Sequence, residues 1–358
     1  MQIKIFTPPQ FKRKPLNIDH LNKITNKKWI YASNGRSSIY HILKDLNFSK
    51  ILVPVYICDT VLEPLKKLNI EHIFYDLEQE DLNPSLESIK ILTKKYNVKV
   101  VLVASMYGNP ANLIEIEKYC KENSIFMIDD SAQSFGAKLN GRYVGTFGDA
   151  GFFSFSPGKP TAGHLGSFFW SSNSITIKRK KQCLLHYIRW LNFYFNRYCI
   201  YENNYLRKKI FSFVDRVLNK LFSFYNGSLC KFEKDILGGI FEANLTDEYA
   251  FREKYLDEFY IKFKDSKNFR VLRSVRGEAN VHKIVLIFKE KNMAKNFINF
   301  LANNSIFASN GYRLLEHNKD TPNAKYIEYR VVELPIENNK DNMNYLFKKV
   351  NEFENRNS

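Results

Sequence analysis

The chain has 358 residues, 44% hydrophobic and 15% aromatic, and 54 basic side chains against 37 acidic ones give it a net charge of +17. That length and apolar content suit a large core shared by two domains and exclude a disordered chain. A charge of that size attracts anions such as nucleic acid, acidic lipid or phosphorylated metabolites, but a lysine-rich genome bias produces it equally well, so charge alone does not choose among them.

The first 30 residues are polar and basic. The spacing then predicts a helix over Ser37 to Leu46, opened by the turn Asn34-Gly35, and a short apolar strand over Ile51 to Tyr56. Helical spacing returns over Thr60 to Leu68, a strand over Ile70 to Tyr75, and a helix over Pro84 to Lys95. Val98 to Ala104 reads as a buried strand, Leu113 to Asn123 as a helix and Ile125 to Ile128 as a strand. Alternating strands and helices imply a parallel sheet wrapped by helices, the α/β class. Ligands in such sheets lie at the carboxyl ends of the strands.

Three segments sit at such ends. Asp129-Asp130-Ser131-Ala132-Gln133 follows one strand and offers carboxylates and an amide. Ser154-Phe155-Ser156-Pro157-Gly158-Lys159 follows the strand-like Gly151-Phe152-Phe153. Gly35-Arg36-Ser37-Ser38 precedes the first helix, where free N–H groups and the helix dipole suit a phosphate.

Together these segments carry a resemblance. Gly141, Val144, Gly145, Phe147, Gly148, Asp149, Gly151, Phe153, Ser154, Phe155 and Lys159 match the GxxVGxFGDxGxFSFxxxK signature of the DegT/DnrJ/EryC1/StrS family of sugar aminotransferases. The acidic pair Asp129-Asp130 followed by Ala132-Gln133 resembles the same family. So do Ser105 to Ala111 (SMYGNPA), Val53 to Thr60 (VPVYICDT) and Asn34 to Ser38 (NGRSS). The resemblance covers roughly residues 30 to 170 well and the rest poorly.

It implies a fold-type I pyridoxal 5'-phosphate enzyme, with a mainly parallel seven-stranded sheet between helices and a smaller α+β C-terminal domain. Lys159 would hold the cofactor as a Schiff base and, once freed, act as general acid and base. Asp130 would keep the ring nitrogen protonated, so that the ring is an electron sink. Gln133 would reach the phenolic oxygen and Tyr56 would stack on the ring. Ser154 and the backbone of Gly35 and Arg36 would bind the phosphate, with the Arg36 guanidinium as an added contact. Tyr107 and His164 are the candidate substrate contacts. Asn204, in an approximate match to the family's Gly-x-Asn-Tyr-Arg, would reach the phosphate of a second subunit.

Departures from the family pattern are also visible. His164 and Leu165 stand where relatives carry a glycine and a carboxylate. Ile175 to Asn226 is a basic, aromatic segment with apolar residues at helical spacing, which fits a subunit interface and, as a second reading, peripheral contact with a membrane surface. From about Leu245 the chain turns to charged helices and short strands: Asp247 to Lys264, Val281 to Phe288, Met293 to Asn303, the strand Val331 to Ile336 and a final helix Asn342 to Phe353. The expected division is a large cofactor domain over 1–244, with an insertion at about 175–226, and a small domain over 245–358.

The expected activity is transfer of an amino group, from a donor such as glutamate, to a nucleotide-linked keto sugar in surface-glycan synthesis, by a homodimer. The family's dehydratases carry histidine in place of the lysine, so Lys159 argues against elimination chemistry. A non-catalytic homologue that uses the basic aromatic segment for docking is the other reading. No helix-turn-helix, zinc-finger or RNA-binding signature accompanies the charge, so nucleic acid is not an expected partner. Cys58, Cys120, Cys183, Cys199 and Cys230 lack the spacing of a metal site or disulfide framework. With no apolar leader and no apolar run of about 18 residues, a cytoplasmic protein is expected.

Overall fold

The computed structural model describes residues 14–156, 159–160, 166–175, 177, 188, 191–192, 213–214, 216–218, 220, 231–246 and 249–356. Most of the 175–226 segment, His164, Leu165 and Asn204 therefore lie outside the described residues.

Seven strands make the main sheet: β1 (Ile30–Ala32), β2 (Lys50–Pro54), β3 (Glu71–Tyr75), β4 (Val100–Ala104), β5 (Phe126–Asp130), and, after the hairpin β6 (Lys138–Leu139) and β7 (Arg142–Tyr143), β8 (Ala150–Ser154) and β9 (Ser167–Ser171). Their order is β1-β9-β8-β5-β4-β2-β3. β8, β5, β4, β2 and β3 run parallel, and β9 is antiparallel to both β8 and β1. Every residue of β4 and β8 is buried, as expected of strands covered on both faces.

Two clusters of side chains fill those faces. Ile89 and Leu92 of helix Leu86–Tyr96 and Leu113 and Ile116 of helix Leu113–Glu122 pack with Val101, Val103 and Met127. Ile39 and Ile42 of helix Gly35–Leu43 pack on the other cluster, with Val53, Leu102 and Ile128. Each fully buried aliphatic side chain is worth about 1.5–3 kcal/mol. Removing one also leaves a cavity.

A second, antiparallel sheet is built from β10 (Phe269–Val271), β11 (Lys283–Phe288), β12 (Ser309–Asn310) and β13 (Val331–Pro335), in the order β10-β11-β13-β12. One face packs Ile284, Leu286 and Val332 against Phe259, Phe297, Leu346 and Val350 of three helices. The other face sends Val285, Ile287 and Val331 into the first sheet's core. Polar ties reinforce this seam. Asp76 accepts the N–H groups of Asn323 and Ala324, each at 2.8 Å, at the start of helix Pro322–Ile327. Arg276 lies 2.5 Å from buried Asp81.

The α/β class and the seven-stranded, mainly parallel sheet are as the sequence implies. Several elements differ from the reading. The polar N-terminal stretch contains helix Ile18–Thr25, whose first turn is capped by the Asn17 side chain. β1, three residues long, and β9 have no counterpart in that reading. The helix expected over Ser37 to Leu46 spans Gly35–Leu43, with Asn34 as its cap accepting from Ser37 N–H, so Gly35 and Arg36 form its first turn and do not precede it. Among the described residues no helix is long and apolar enough to cross a membrane.

Candidate functional site

The expected site residues gather at one end of the main sheet. Tyr56 and Cys58 follow β2, Tyr107 follows β4, Asp130 ends β5 with Gln133 three residues on, and Ser154 ends β8. Gly35 follows β1, which runs in the same direction as β8 because both are antiparallel to β9.

The acidic pair divides its work by strand geometry. Successive side chains on a strand point to opposite faces. Asp129 Oδ2 accepts Gly145 N–H at 2.6 Å and Phe147 N–H at 3.1 Å, which ties down the turn before β8. Burial pushes its carboxyl up to about 7 against those two hydrogen bonds. Asp130 faces the other way. Its Oδ1 accepts Ala132 N–H at 2.9 Å, and burial raises it to about 6 while the Lys159 charge pulls it down.

Asp129 therefore carries a test of its own. Asp129→Ala orphans two buried N–H groups and is expected to lose about 1–3 kcal/mol for each, read as a lower denaturant midpoint. Asp129→Asn, which keeps one acceptor oxygen, is milder. Burial raises the folded carboxyl to about 7, above the ordinary aspartate value of 3.8. Wild-type stability from this group is thus complete below about pH 4 and is lost as pH rises through 7. The uncharged asparagine has no such loss, so the gap between the two proteins should narrow from pH 4 to pH 8. A gap that widens would contradict the assignment.

At the other side of the site, the start of helix Gly35–Leu43 abuts the end of β8. A Cβ placed on Gly35 would stand 3.4 Å from the Phe152 ring and 3.6 Å from Ser154 Oγ. Any larger side chain would crowd the space between the helix N–H groups and that hydroxyl. Ser37 Oγ, fully buried two residues on, has no hydrogen-bond partner among the described residues. A glycine gap, a helix start, the Ser154 hydroxyl and the unpartnered Ser37 hydroxyl together fit a phosphate. The Arg36 guanidinium is a correction to the sequence reading. It is held by both oxygens of Glu63, at 2.8 and 2.7 Å, so Arg36 offers its backbone to an anion while its side chain is spent on an ion pair.

Lys159 is partly buried, and burial holds its ammonium below the ordinary lysine value. Cys58 and Asp130 oppose that shift, and Lys283 adds to it. More of the amine is consequently neutral, and a neutral amine is the nucleophilic form.

The second sheet closes the site, which the sequence did not reveal. Gln133 Nε2 donates to Tyr312 Oη at 3.3 Å, and its Oε1 accepts Tyr107 N–H at 3.3 Å. Tyr56 Oη shares a hydrogen bond with Tyr107 Oη at 2.8 Å and accepts Tyr312 N–H at 3.2 Å. A Cβ on Gly311 would meet Tyr56 Oη at 2.1 Å, so only glycine lets this segment approach. Tyr107 has φ +57°, a strained value for an aromatic residue, and Asn83 Oδ1 fixes the turn by accepting Met106 N–H at 2.8 Å. Burial raises all three tyrosines, so they are neutral hydroxyls at physiological pH. Behind them Lys283 and Glu333 form a buried ion pair at 2.6 Å, and Ser309 Oγ donates to the same carboxylate at 3.0 Å.

The two sheets and the strand-end site define a fold-type I pyridoxal-phosphate transferase fold. Helicobacter pylori PseC, an aminotransferase of pseudoaminic acid biosynthesis, superposes with a TM-score of 0.74 over 99% of this chain and all of that one, at 14% identity. The Escherichia coli GDP-4-keto-6-deoxy-D-mannose-3-dehydratase with bound hydrated PLP gives 0.68 over 92% and 90%, at 19% identity. Over residues 22–187 the chain matches the profile of the DegT/DnrJ/EryC1/StrS aminotransferase family. Vibrio cholerae GDP-perosamine synthase is 27% identical over 151 residues, 41% of each chain. The Yersinia pseudotuberculosis GDP-4-keto-6-deoxy-D-mannose 3-dehydratase is 30% identical over 139 residues, 36% of this chain and 35% of that one. The chain thus matches about two fifths of the length of these relatives.

Proposed function

We propose that this protein is a pyridoxal-phosphate-dependent aminotransferase that converts a nucleotide-linked keto sugar into an amino sugar with a glutamate-like donor. The observation that carries the reading is the joint placement of Lys159 and Asp130 in one buried cluster beside the Gly35–Ser154 anion cradle. The residues fit the cofactor at both ends, since the Asp130 carboxylate lies within electrostatic reach of Lys159 and the Ser37 hydroxyl stands unpartnered at the helix start.

Pyridoxal phosphate would supply an aldehyde for the lysine and a ring that accepts the electrons released at the reacting carbon. Asp130 would keep the ring nitrogen protonated. Gln133 would present its amide donor to the phenolic oxygen, and Tyr56 would lie against the ring. Ser154 and the N–H groups of Gly35 and Arg36 would bind the phosphate, joined by Asn204 of a second copy in a homodimer that light scattering would detect. Lys159, whose ammonium burial holds below the ordinary lysine value, would be the group that accepts the proton from the donor carbon and delivers it across the imine to the cofactor's aldehyde-derived carbon. The tyrosine seam limits water access, and Tyr107 and His164 contact the sugar. The +17 net charge favours capture of a nucleotide diphosphate.

Incubation of the purified protein with glutamate and a panel of keto-sugar nucleotides should yield an amino-sugar nucleotide and 2-oxoglutarate in equal amounts. Formation of a deoxy sugar with loss of water would instead support the dehydratase chemistry named for one group of relatives.

A further inference from the structure

We infer that Arg252 is a positioning residue for Lys159, acting from the small domain through the carbonyl of Pro160. The inference rests on the proposed function and deepens it. Arg252 Nη1 donates to Pro160 O at 3.0 Å, across 92 positions of sequence.

Three features make this arginine expensive to keep for packing alone. It is only 8% exposed, and burial lowers its pKa to about 10. It stands in the first turn of helix Ala250–Phe263, where the helix dipole disfavours a cation. Among the described residues no carboxylate pairs with it, and its other close contact is the Tyr249 ring, 3.8 Å from the guanidinium carbon. A buried charge is normally paired with an opposite one. Among the described residues its one hydrogen bond goes to a carbonyl, and that carbonyl belongs to the residue after the lysine.

Proline makes such a contact effective. Pro160 has no N–H, so its carbonyl is the only polar handle on its backbone, and its φ is fixed near −65° by the ring. Holding the carbonyl sets the one remaining backbone angle of Pro160. The peptide plane joining it to Lys159 is then fixed relative to the small domain. The lysine amine is delivered from a backbone anchored on both sides of the seam, and a displacement of about 1 Å at such a group costs on the order of 10²-fold in rate.

The test separates amine placement from pocket integrity. Pyridoxal phosphate is captured covalently: the Lys159 nitrogen adds to the aldehyde carbon, water leaves and a carbon–nitrogen double bond forms. Pyridoxamine phosphate has the same ring and phosphate but no aldehyde, so its binding does not need Lys159. In Arg252→Met the rate of covalent capture, followed by stopped-flow absorbance, should fall about 10- to 100-fold, while pyridoxamine phosphate affinity and melting temperature stay close to wild type. Arg252→Lys, which restores a donor, should recover part of the capture rate. Arg252→Gln provides the same measurement with a neutral donor if the methionine variant does not fold. Equal losses of capture and pyridoxamine phosphate binding, or an unchanged capture rate, would overturn the inference. Failure of the wild-type protein to capture pyridoxal phosphate at all would instead remove the proposed function.

Discussion

Lys159→Ala is expected to abolish turnover and the visible absorbance of the cofactor-loaded protein while leaving the fold intact. Loss of general acid–base catalysis alone accounts for roughly 10²–10⁴-fold, and loss of the covalent attachment comes on top of it. Stability should move the other way. Burial puts the folded-state pKa of this lysine below its ordinary value of 10.5, so protonation of the buried amine at neutral pH works against folding. That contribution is restored only as pH rises through the unfolded value. The alanine variant lacks this penalty, and its melting temperature in the absence of cofactor should equal or exceed wild type at pH 7. A functional lysine held at the expense of stability is a common trade at active sites. Retention of full transamination by the variant would refute the role, and a collapse of its melting temperature would show that Lys159 is structural.

The parts of this site legible in the sequence are those set by local rules. Long buried runs such as Val100–Ala104 announce parallel strands, and parallel strands announce where ligands gather. The Asp-Asp pair could be divided only through the resemblance, yet strand alternation gives the same division once the partners of Asp129 are visible. What stayed hidden depends on long-range packing. Tyr312 lies 179 positions from Gln133 and Arg252 lies 92 from Pro160, and neither stands in a motif. Gly311 looks like an ordinary turn glycine until the Tyr56 hydroxyl is found against it. The fate of the Arg36 side chain was equally unreadable, because Glu63 sits on a different helix.

Those long-range contacts also change what Tyr56 and Gln133 can be expected to do. Each was read as a cofactor contact alone. In the structure each also hydrogen-bonds Tyr312, so the proposed cofactor pocket and the seam share side chains. A change at Tyr56 should therefore alter both cofactor retention and the tie to β12 and β13. Effects of neighbouring substitutions in this network will not add.

Asp130→Asn is expected to lower turnover by about 10²–10³-fold, the usual loss when one preorganised electrostatic partner is removed from a charge that develops during reaction, while part of the cofactor stays bound. The asparagine can still accept Ala132 N–H, so the end of β5 should keep its shape. It cannot hold a proton on the ring nitrogen, because a neutral amide gives a pyridinium no charge to pair with. The pH dependence sharpens the test. Burial raises the folded Asp130 carboxyl to about 6, and a pyridinium placed against it would draw that value down, as the Lys159 charge already does. Wild-type activity should thus fall on the acid side at or below about pH 6, where Asp130 takes up its own proton, and this limb should be missing from the residual activity of Asp130→Asn. Because the folded pKa lies above the unfolded one, Asp130 withdraws stability from the cofactor-free protein as pH rises through 6. The asparagine variant should accordingly gain in relative melting temperature between pH 5 and pH 8. Asp129→Asn supplies the contrast, with altered stability and near-normal turnover. Equal losses of turnover in the two variants would mean that strand alternation has been assigned to the wrong face.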